Sequence, residues 1–254
     1  MAEHYFALGK EDQGEVLEQA RAKTGRPTHL LEKDVWVVWA VGALFESPLA
    51  ADLTFKGGTS LSKAYKIIDR FSEDIDLTYD IRKLIADLTG GEDFLPANRS
   101  QASKWTKAVR NRLPEWITTE VQPLLQAELE RAQLDAKLEI GGAEHDKLLL
   151  HYPAIKQGTG YVSPVVALEF GDRATGEPHQ VLSVACDMDG HVDGEASRFR
   201  TGFWHASRSA FAVRLHRRTD RAFGPGLAPQ DAALSDDACA SRSHAKHGPQ
   251  GQLL

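Results

Sequence analysis

The chain has 254 residues, 42% of them hydrophobic, with 30 basic and 36 acidic side chains and a formal net charge of −6. This is enough apolar chain for a real core, which excludes global disorder, and two cysteines, Cys186 and Cys239, cannot build a disulfide framework or a four-cysteine zinc site. The longest apolar run, Val35 to Phe45, is too short to span a bilayer, and Met1 to Lys10 lacks the pattern of a secretory signal, so a soluble cytoplasmic protein with no membrane partner is expected. Glu15 to Lys23 reads as a helix, with Val16, Leu17 and Ala20 on one face and Gly25 as its stop. Thr28 is the expected N-cap of a second helix through Phe45, apolar on most of its circumference and therefore buried on two sides. Asp52 to Lys56 reads as a strand, Ser60 to Asp69 as a helix and Asp74 to Tyr79 as a strand. Residues 87–102 read as a loop, and Trp105 to Gln133 as helix broken or kinked at Pro114 and Pro123. Strand-like runs follow at Lys137–Ile140, Lys147–Tyr152, Val165–Phe170 and Val181–Cys186. The order points to an α+β, mixed α/β fold.

The chemistry is concentrated in two neighbouring stretches. Phe55-Lys56-Gly57-Gly58-Thr59-Ser60-Leu61-Ser62-Lys63 sets two glycines and two hydroxyls between a strand and a helix. Glycines let backbone N–H groups approach a phosphate closely, and a helix N-terminus adds partial positive charge. Thr59 and Ser60 are expected to donate to phosphate oxygens and Lys63 to supply full charge, while Lys56 reads either as a phosphate contact or as a solvated strand end. The second stretch, Arg70-Phe71-Ser72-Glu73-Asp74-Ile75-Asp76-Leu77, puts two carboxylates at i and i+2 of a strand, on one face. Such a pair suits Mg²⁺ shared with substrate phosphates.

Gly57-Gly58-Thr59 followed by Asp74-Ile75-Asp76 resembles the signature of the DNA polymerase beta-like nucleotidyltransferase superfamily. The longer run Phe55 to Lys66, with Arg70 to Leu77, resembles its AbiEii-type toxin branch, found in type IV toxin–antitoxin and phage-abortive systems. Leu31-Glu32-Lys33-Asp34-Val35-Trp36, His151-Tyr152-Pro153 and Leu168-Glu169-Phe170-Gly171 match as well, and Glu177-Pro178-His179 more loosely. The resemblance implies a polymerase beta-like nucleotidyltransferase core with N-terminal helices and a helical insert. It implies transfer of a nucleotidyl group from a nucleoside triphosphate, with GTP or CTP expected, to an acceptor hydroxyl such as the 3′ end of tRNA, and an antitoxin encoded nearby. It assigns Lys56, Gly57, Gly58, Thr59, Ser60 and Lys63 to nucleotide binding, Asp74 and Asp76 to Mg²⁺ and catalysis, and a third catalytic acid to Glu169.

Other residues have blander readings. Glu32-Lys33-Asp34 reads as an N-terminal cap and salt-bridge cluster, Arg173 as a surface turn arginine, and Trp36, Trp39, Trp105 and Trp116 as core. The ten histidines show no zinc-binding spacing.

The likeness stops near residue 200. Family members continue with an Arg-Thr-Phe-Trp-Glu-Lys helix and a later Asp, whereas this chain has Arg200-Thr201-Gly202-Phe203-Trp204-His205-Ala206, and Asp220 has no motif around it. Composition changes at the same place: residues 201–254 carry 6 Arg and 1 Lys against 4 Asp and no Glu, and are rich in Ala, Arg, Ser, Gly, His and Pro. The reading divides the chain into a nucleotidyltransferase core at 1–200 and an atypical, low-order tail at 201–254, either frameshifted or a natural basic tail. Two functional readings follow: an active nucleotidyltransferase toxin, or a catalytically impaired nucleotide- or RNA-binding remnant.

Overall fold

The computed structural model describes residues 5–69, 71, 74–90, 96–156, 162–174, 179–188 and 213–216. All of them belong to one compact unit, Met1–Arg218. Helix α1 (Lys10–Thr24) starts earlier than its apolar pattern suggests, because its first turn is the polar run Lys10-Glu11-Asp12-Gln13. It ends as expected at Gly25, whose φ of 72° only a glycine adopts cheaply. Helix α2 (Thr28–Phe45) has Pro27, not Thr28, at its N-cap. Pro27 lacks a donor, but its carbonyl accepts from Leu30 and Leu31, and Thr28 becomes the first helical residue. Fourteen of the residues in α2 are buried, as its all-round apolarity requires.

Strand β1 (Leu53–Lys56) runs straight into the short helix α3 (Gly57–Lys63), which ends well before Asp69. Strand β2 (Asp74–Asp80) follows. The short helices α4 (Ile81–Leu84) and α5 (Ala86–Thr89) have no clear sequence signal, being single turns held by tertiary contacts. Ile81 and Ile85 pack with Trp105 and Val109 in a small satellite core. Helix α6 (Arg99–Trp116) begins inside the expected loop, capped by the Asn98 side chain on Gln101. Pro114 does not break it. The helix passes through a π turn (Ile117–Val121) into α7 (Gln122–Arg131), with Pro123 directly after the π turn, where the hydrogen-bond register changes.

The remaining strands are β3 (Lys137–Gly141), β4 (Lys147–His151), β5 (Val165–Ala174), β6 (His179–Leu182) and β7 (Val213–His216). Strand β6 starts two residues before the expected Val181–Cys186 run and takes in only Val181 and Leu182 of it; residues 183–186 are irregular. Strand β7 lies beyond the expected boundary at residue 200. It joins the sheet by parallel pairing with β1 and antiparallel pairing with β6. The seven-stranded sheet has the order β3-β4-β5-β2-β1-β7-β6, a mixed α/β architecture.

One face of the sheet is the core face. Leu53, Phe55, Ile75, Leu77, Leu148, Leu150, Val166, Leu168 and Phe170 are buried there in one cluster with residues of α1, α2, α6 and α7. The four tryptophans expected in the core are buried. Trp116 stacks on Tyr79 at 4.4 Å and meets Phe170 edge-on at 5.6 Å, which fastens the end of α6 to β2 and β5. By strand alternation, Lys56, Asp74, Asp76, Glu169 and Lys147 point to the other face.

Candidate active site

Sheet register assembles the site. Lys56 of β1 is paired with Asp76 of β2, Asp76 with Glu169 of β5, and Glu169 with Lys147 of β4. Four adjacent strands therefore carry a row of charges in the order plus, minus, minus, plus, on the face opposite Phe55, Leu77 and Leu168. Asp74 stands two residues before Asp76 on the same face and is solvent-exposed. Burial and then the Glu169 carboxylate hold Asp76 above the usual carboxylate range; Asp74 adds to this, and Lys56 and Lys147 oppose it. Lys147 forms an ion pair with Glu169, which holds its ammonium above its ordinary value.

Gly57 directly follows Lys56 and approaches the Asp76 side chain closely. Its φ is 74°, and a Cβ there would overlap the Asp76 carboxylate. Gly171 does the same service for Lys56, whose Nζ would lie 2.7 Å from a Cβ at that position. Two glycines thus keep side-chain volume away from two members of the row.

The rest of the glycine turn is placed differently from expectation. The buried Thr59 hydroxyl donates to the carbonyl of Asp74, and the buried Ser60 hydroxyl donates to the carbonyl of Gly57 at 2.9 Å. Both hydroxyls serve the main chain, so what Gly57, Gly58, Thr59 and Ser60 have left for a ligand is backbone N–H. Lys63 is not with the acids either. It is buried in an ion cluster with Asp34 of α2 and Asp187. Burial pulls its ammonium down, but Asp34 and Asp187 outweigh this and hold it above its ordinary value.

Glu32-Lys33-Asp34 is an ion and hydrogen-bond cluster, as read, but it caps other segments rather than its own helix. Glu32 accepts from the backbone N–H of Ile155 and Lys156 at 2.8 and 3.3 Å, and Lys33 donates to the Ser163 carbonyl at 3.3 Å. Asp34 accepts from the Asp187 N–H at 2.6 Å and from the Cys186 thiol at 3.0 Å. Arg173 lies on strand β5 rather than in a turn. Arg70, residues 177–178 and Asp220 lie outside the described residues.

A cleft of about 300 Å³ opens beside the row, lined by Lys56, Asp76 and Glu169 together with Arg110, Leu113 and Pro114 of α6 and Glu144 and Asp146 of the β3–β4 turn. Sequence reasoning missed Arg110 and Lys147. Arg110 enters through helix packing and Lys147 through strand register, neither of which leaves a local motif. Lys63 instead lines a second cleft, with Arg26, Lys66 and Asp187.

The donors suit Mg²⁺ in a particular way. Asp74 and Asp76 offer hard oxygens, and a cation there would offset the burial and the neighbouring Glu169 and Asp74 charges that raise Asp76. Among the described residues no three His, Cys, Asp or Glu side chains close into a metal cage. The arrangement fits an ion shared with substrate oxygens.

The family model for AbiEii nucleotidyl transferase toxins of type IV toxin–antitoxin systems matches residues 39–203, from the middle of α2 past Glu169. Among solved structures, the nucleotidyltransferase toxin MenT4 of Mycobacterium tuberculosis aligns at 17% identity and a TM-score of 0.38, over 73% of this chain and 51% of that one. The chain thus spans about half the length of MenT4. A comparison with curated protein sequences gives no match. Among the described residues no helix is long and apolar enough to cross a membrane. The family match covers well over half of the 254 residues, and the chain belongs to the AbiEii nucleotidyltransferase toxin family.

Proposed function

We propose that the cleft beside Lys56, Asp76 and Glu169 binds a nucleoside triphosphate and that the chain transfers its nucleotidyl group to an acceptor hydroxyl. The observation that carries this reading is the charge row Lys56–Asp76–Glu169–Lys147 next to the glycine turn. Backbone N–H groups of Gly57 to Ser60 and the Lys56 ammonium meet phosphate oxygens. Asp74 and Asp76 hold Mg²⁺, which when bound neutralises phosphate charge and activates the attacking oxygen. The acceptor oxygen bonds to the α-phosphorus, the bond to the pyrophosphate breaks, and the hydroxyl proton passes to the carboxylate cluster that includes Glu169. Positioning and charge neutralisation supply most of the rate.

GTP or CTP is the proposed donor and the 3′ end of tRNA the proposed acceptor, in the cytoplasm and under control of an antitoxin. Purified protein with labelled nucleoside triphosphates, Mg²⁺ and total tRNA tests this. Incorporation that Asp76→Ala abolishes supports it, and incorporation that is absent or undiminished by Asp76→Ala overturns it. A second reading, nucleotide binding without turnover, is favoured by one observation. The family match ends at residue 203, where the expected Lys and Asp motifs do not follow. Magnesium-dependent nucleotide binding by calorimetry, with no product, distinguishes it.

A further inference from the structure

We infer that one face of α6 is the docking track for a single-stranded polynucleotide that presents the acceptor hydroxyl, an inference that rests on the nucleotidyltransferase reading of the cleft. Helix α6 is cationic in an acidic chain: Arg99, Lys104, Lys107, Arg110 and Arg112 stand against the single acid Glu115. Arg99, Ser103, Lys107, Arg110 and Pro114 follow one another at spacings of four, four, three and four, which places them in one row along the helix. The first four are exposed. Trp105, Val109, Leu113 and Trp116 form a different row, which is buried. Arg112 is turned to another side, bonded to Asp87 at 2.5 and 2.9 Å and to the Leu84 carbonyl at 3.1 Å.

The exposed row contains no acid, and it ends in the cleft. Arg110 and Pro114 line the cleft together with Lys56, Asp76 and Glu169 and with Glu144 and Asp146 of the β3–β4 turn, so the cationic track gives way to carboxylates where the reaction is proposed. The row covers about 22 Å of helix, long enough to meet several phosphates of one strand. Charge complementarity therefore selects a polyanion, and the direction of the row selects one whose end brings a hydroxyl to the acids. Contacts to phosphates position a strand without reading its bases, so binding is salt-dependent and tolerant of sequence.

The test is fluorescence anisotropy of the full chain with a labelled single-stranded RNA of about 12 nucleotides carrying a free 3′ hydroxyl. Titrations run between about 50 and 200 mM salt. The variant Arg99→Gln/Lys107→Gln changes two positions outside the cleft. It is expected to weaken binding by about fivefold or more at the lowest salt and to reduce the salt slope by about 1.4. Arg99→Lys/Lys107→Arg keeps wild-type binding. Calorimetry with a non-hydrolysable nucleoside triphosphate gives the same affinity for both variants and wild type. If the Gln variant melts at a lower temperature, Arg99→Gln alone is used, with a slope change of about 0.7. Wild-type affinity and slope in the neutralised variant overturn the track. Wild type that binds nucleotide but no strand also overturns it. Wild type that binds neither overturns the nucleotidyltransferase reading as well.

Discussion

Asp76 and Glu169 stand opposite each other in the parallel ladder of β2 and β5, each flanked on its outer side by a lysine in register. Like charges on neighbouring strands are destabilising, and the protein keeps them beside each other where apolar residues would pack better. Asp76→Asn removes one of the two charges and leaves the shape. The variant is expected to melt a few degrees higher than wild type in metal-free buffer and to lose nucleotidyl transfer. Thermal melts and the transfer assay check the two halves separately. An unchanged or lower melting temperature would show that Lys56 and Lys147 already neutralise the pair.

Lys147 supplies the converse test. Its ion pair with Glu169 directly compensates that carboxylate, and both side chains are about one-third exposed. Lys147→Met leaves Glu169 facing Asp76 without it. The expected result is a lower melting temperature in metal-free buffer that millimolar Mg²⁺ partly restores, because a bound cation stabilises the folded state by mass action. Wild type should gain less from the same addition. Equal gains would mean that Lys147 does not shape the electrostatics of the acid pair.

Glycine at position 57 separates backbone strain from steric overlap. Gly57 and Gly90 have nearly the same φ, 74° and 70°, but a Cβ at 57 would overlap the Asp76 carboxylate while a Cβ at 90 meets nothing within 4 Å. Gly90→Ala is expected to cost about 1 kcal/mol, the conformational part alone. Gly57→Ala should cost about 2–3 kcal/mol and also displace Asp76, so nucleotidyl transfer falls as well. Urea unfolding of both variants measures the difference. Equal costs would mean that the carboxylate moves aside freely.

Much of this arrangement is legible in the sequence. The alternation of Asp74-Ile75-Asp76-Leu77 fixes which face holds the acids, and Ile75 and Leu77 are indeed fully buried on the other. The apolar run of α2 announced a buried helix. Lys63 shows where local reading fails. One turn after a Gly-Gly motif, a lysine reads as a phosphate contact, yet the buried Asp34 of α2 and Asp187 capture it. The sequence signal for that capture was Asp34 itself, an acid set just before an apolar run, where a buried charge needs a partner. The Thr59 and Ser60 hydroxyls likewise donate to main-chain carbonyls, because short hydroxyl side chains satisfy nearby carbonyls as readily as a ligand. Arg110 and Lys147 depend on how α6 and β4 meet β5, which no local spacing encodes.

The Asp34–Lys63 pair gives a prediction that discriminates between these roles. Both side chains are nearly inaccessible, so removing Lys63 leaves the buried Asp34 carboxylate without its cation, whereas removing Asp34 leaves Lys63 paired with Asp187. Lys63→Met is expected to destabilise by about 3–5 kcal/mol and Asp34→Asn by less, while Asp34→Asn/Lys63→Met recovers part of the Lys63→Met loss. In the folded fraction, Lys63→Met should leave nucleotide affinity unchanged. A selective loss of nucleotide affinity at wild-type stability would return Lys63 to the phosphate site.

Glu32 makes the stability of the fold depend on pH with a definite sign. It is buried in α2, and its carboxylate accepts two backbone N–H groups from Ile155 and Lys156. Burial raises its pKa above the ordinary value of 4.5, and the two hydrogen bonds oppose this without cancelling it. From pH 4.5 up to the raised native value, the folded state holds more proton on Glu32 than the unfolded chain does. The unfolding free energy must then fall as pH rises through that window, and level off above it. Glu32→Gln keeps an acceptor for Ile155 and has no proton to lose, so its stability lacks this slope. Urea midpoints of both proteins, taken at steps from about pH 4.5 to 7, isolate Glu32 as the difference between wild type and variant. That difference should move against wild type as pH increases. Movement in its favour would mean that the two backbone donors outweigh burial and hold the native carboxylate below its ordinary range.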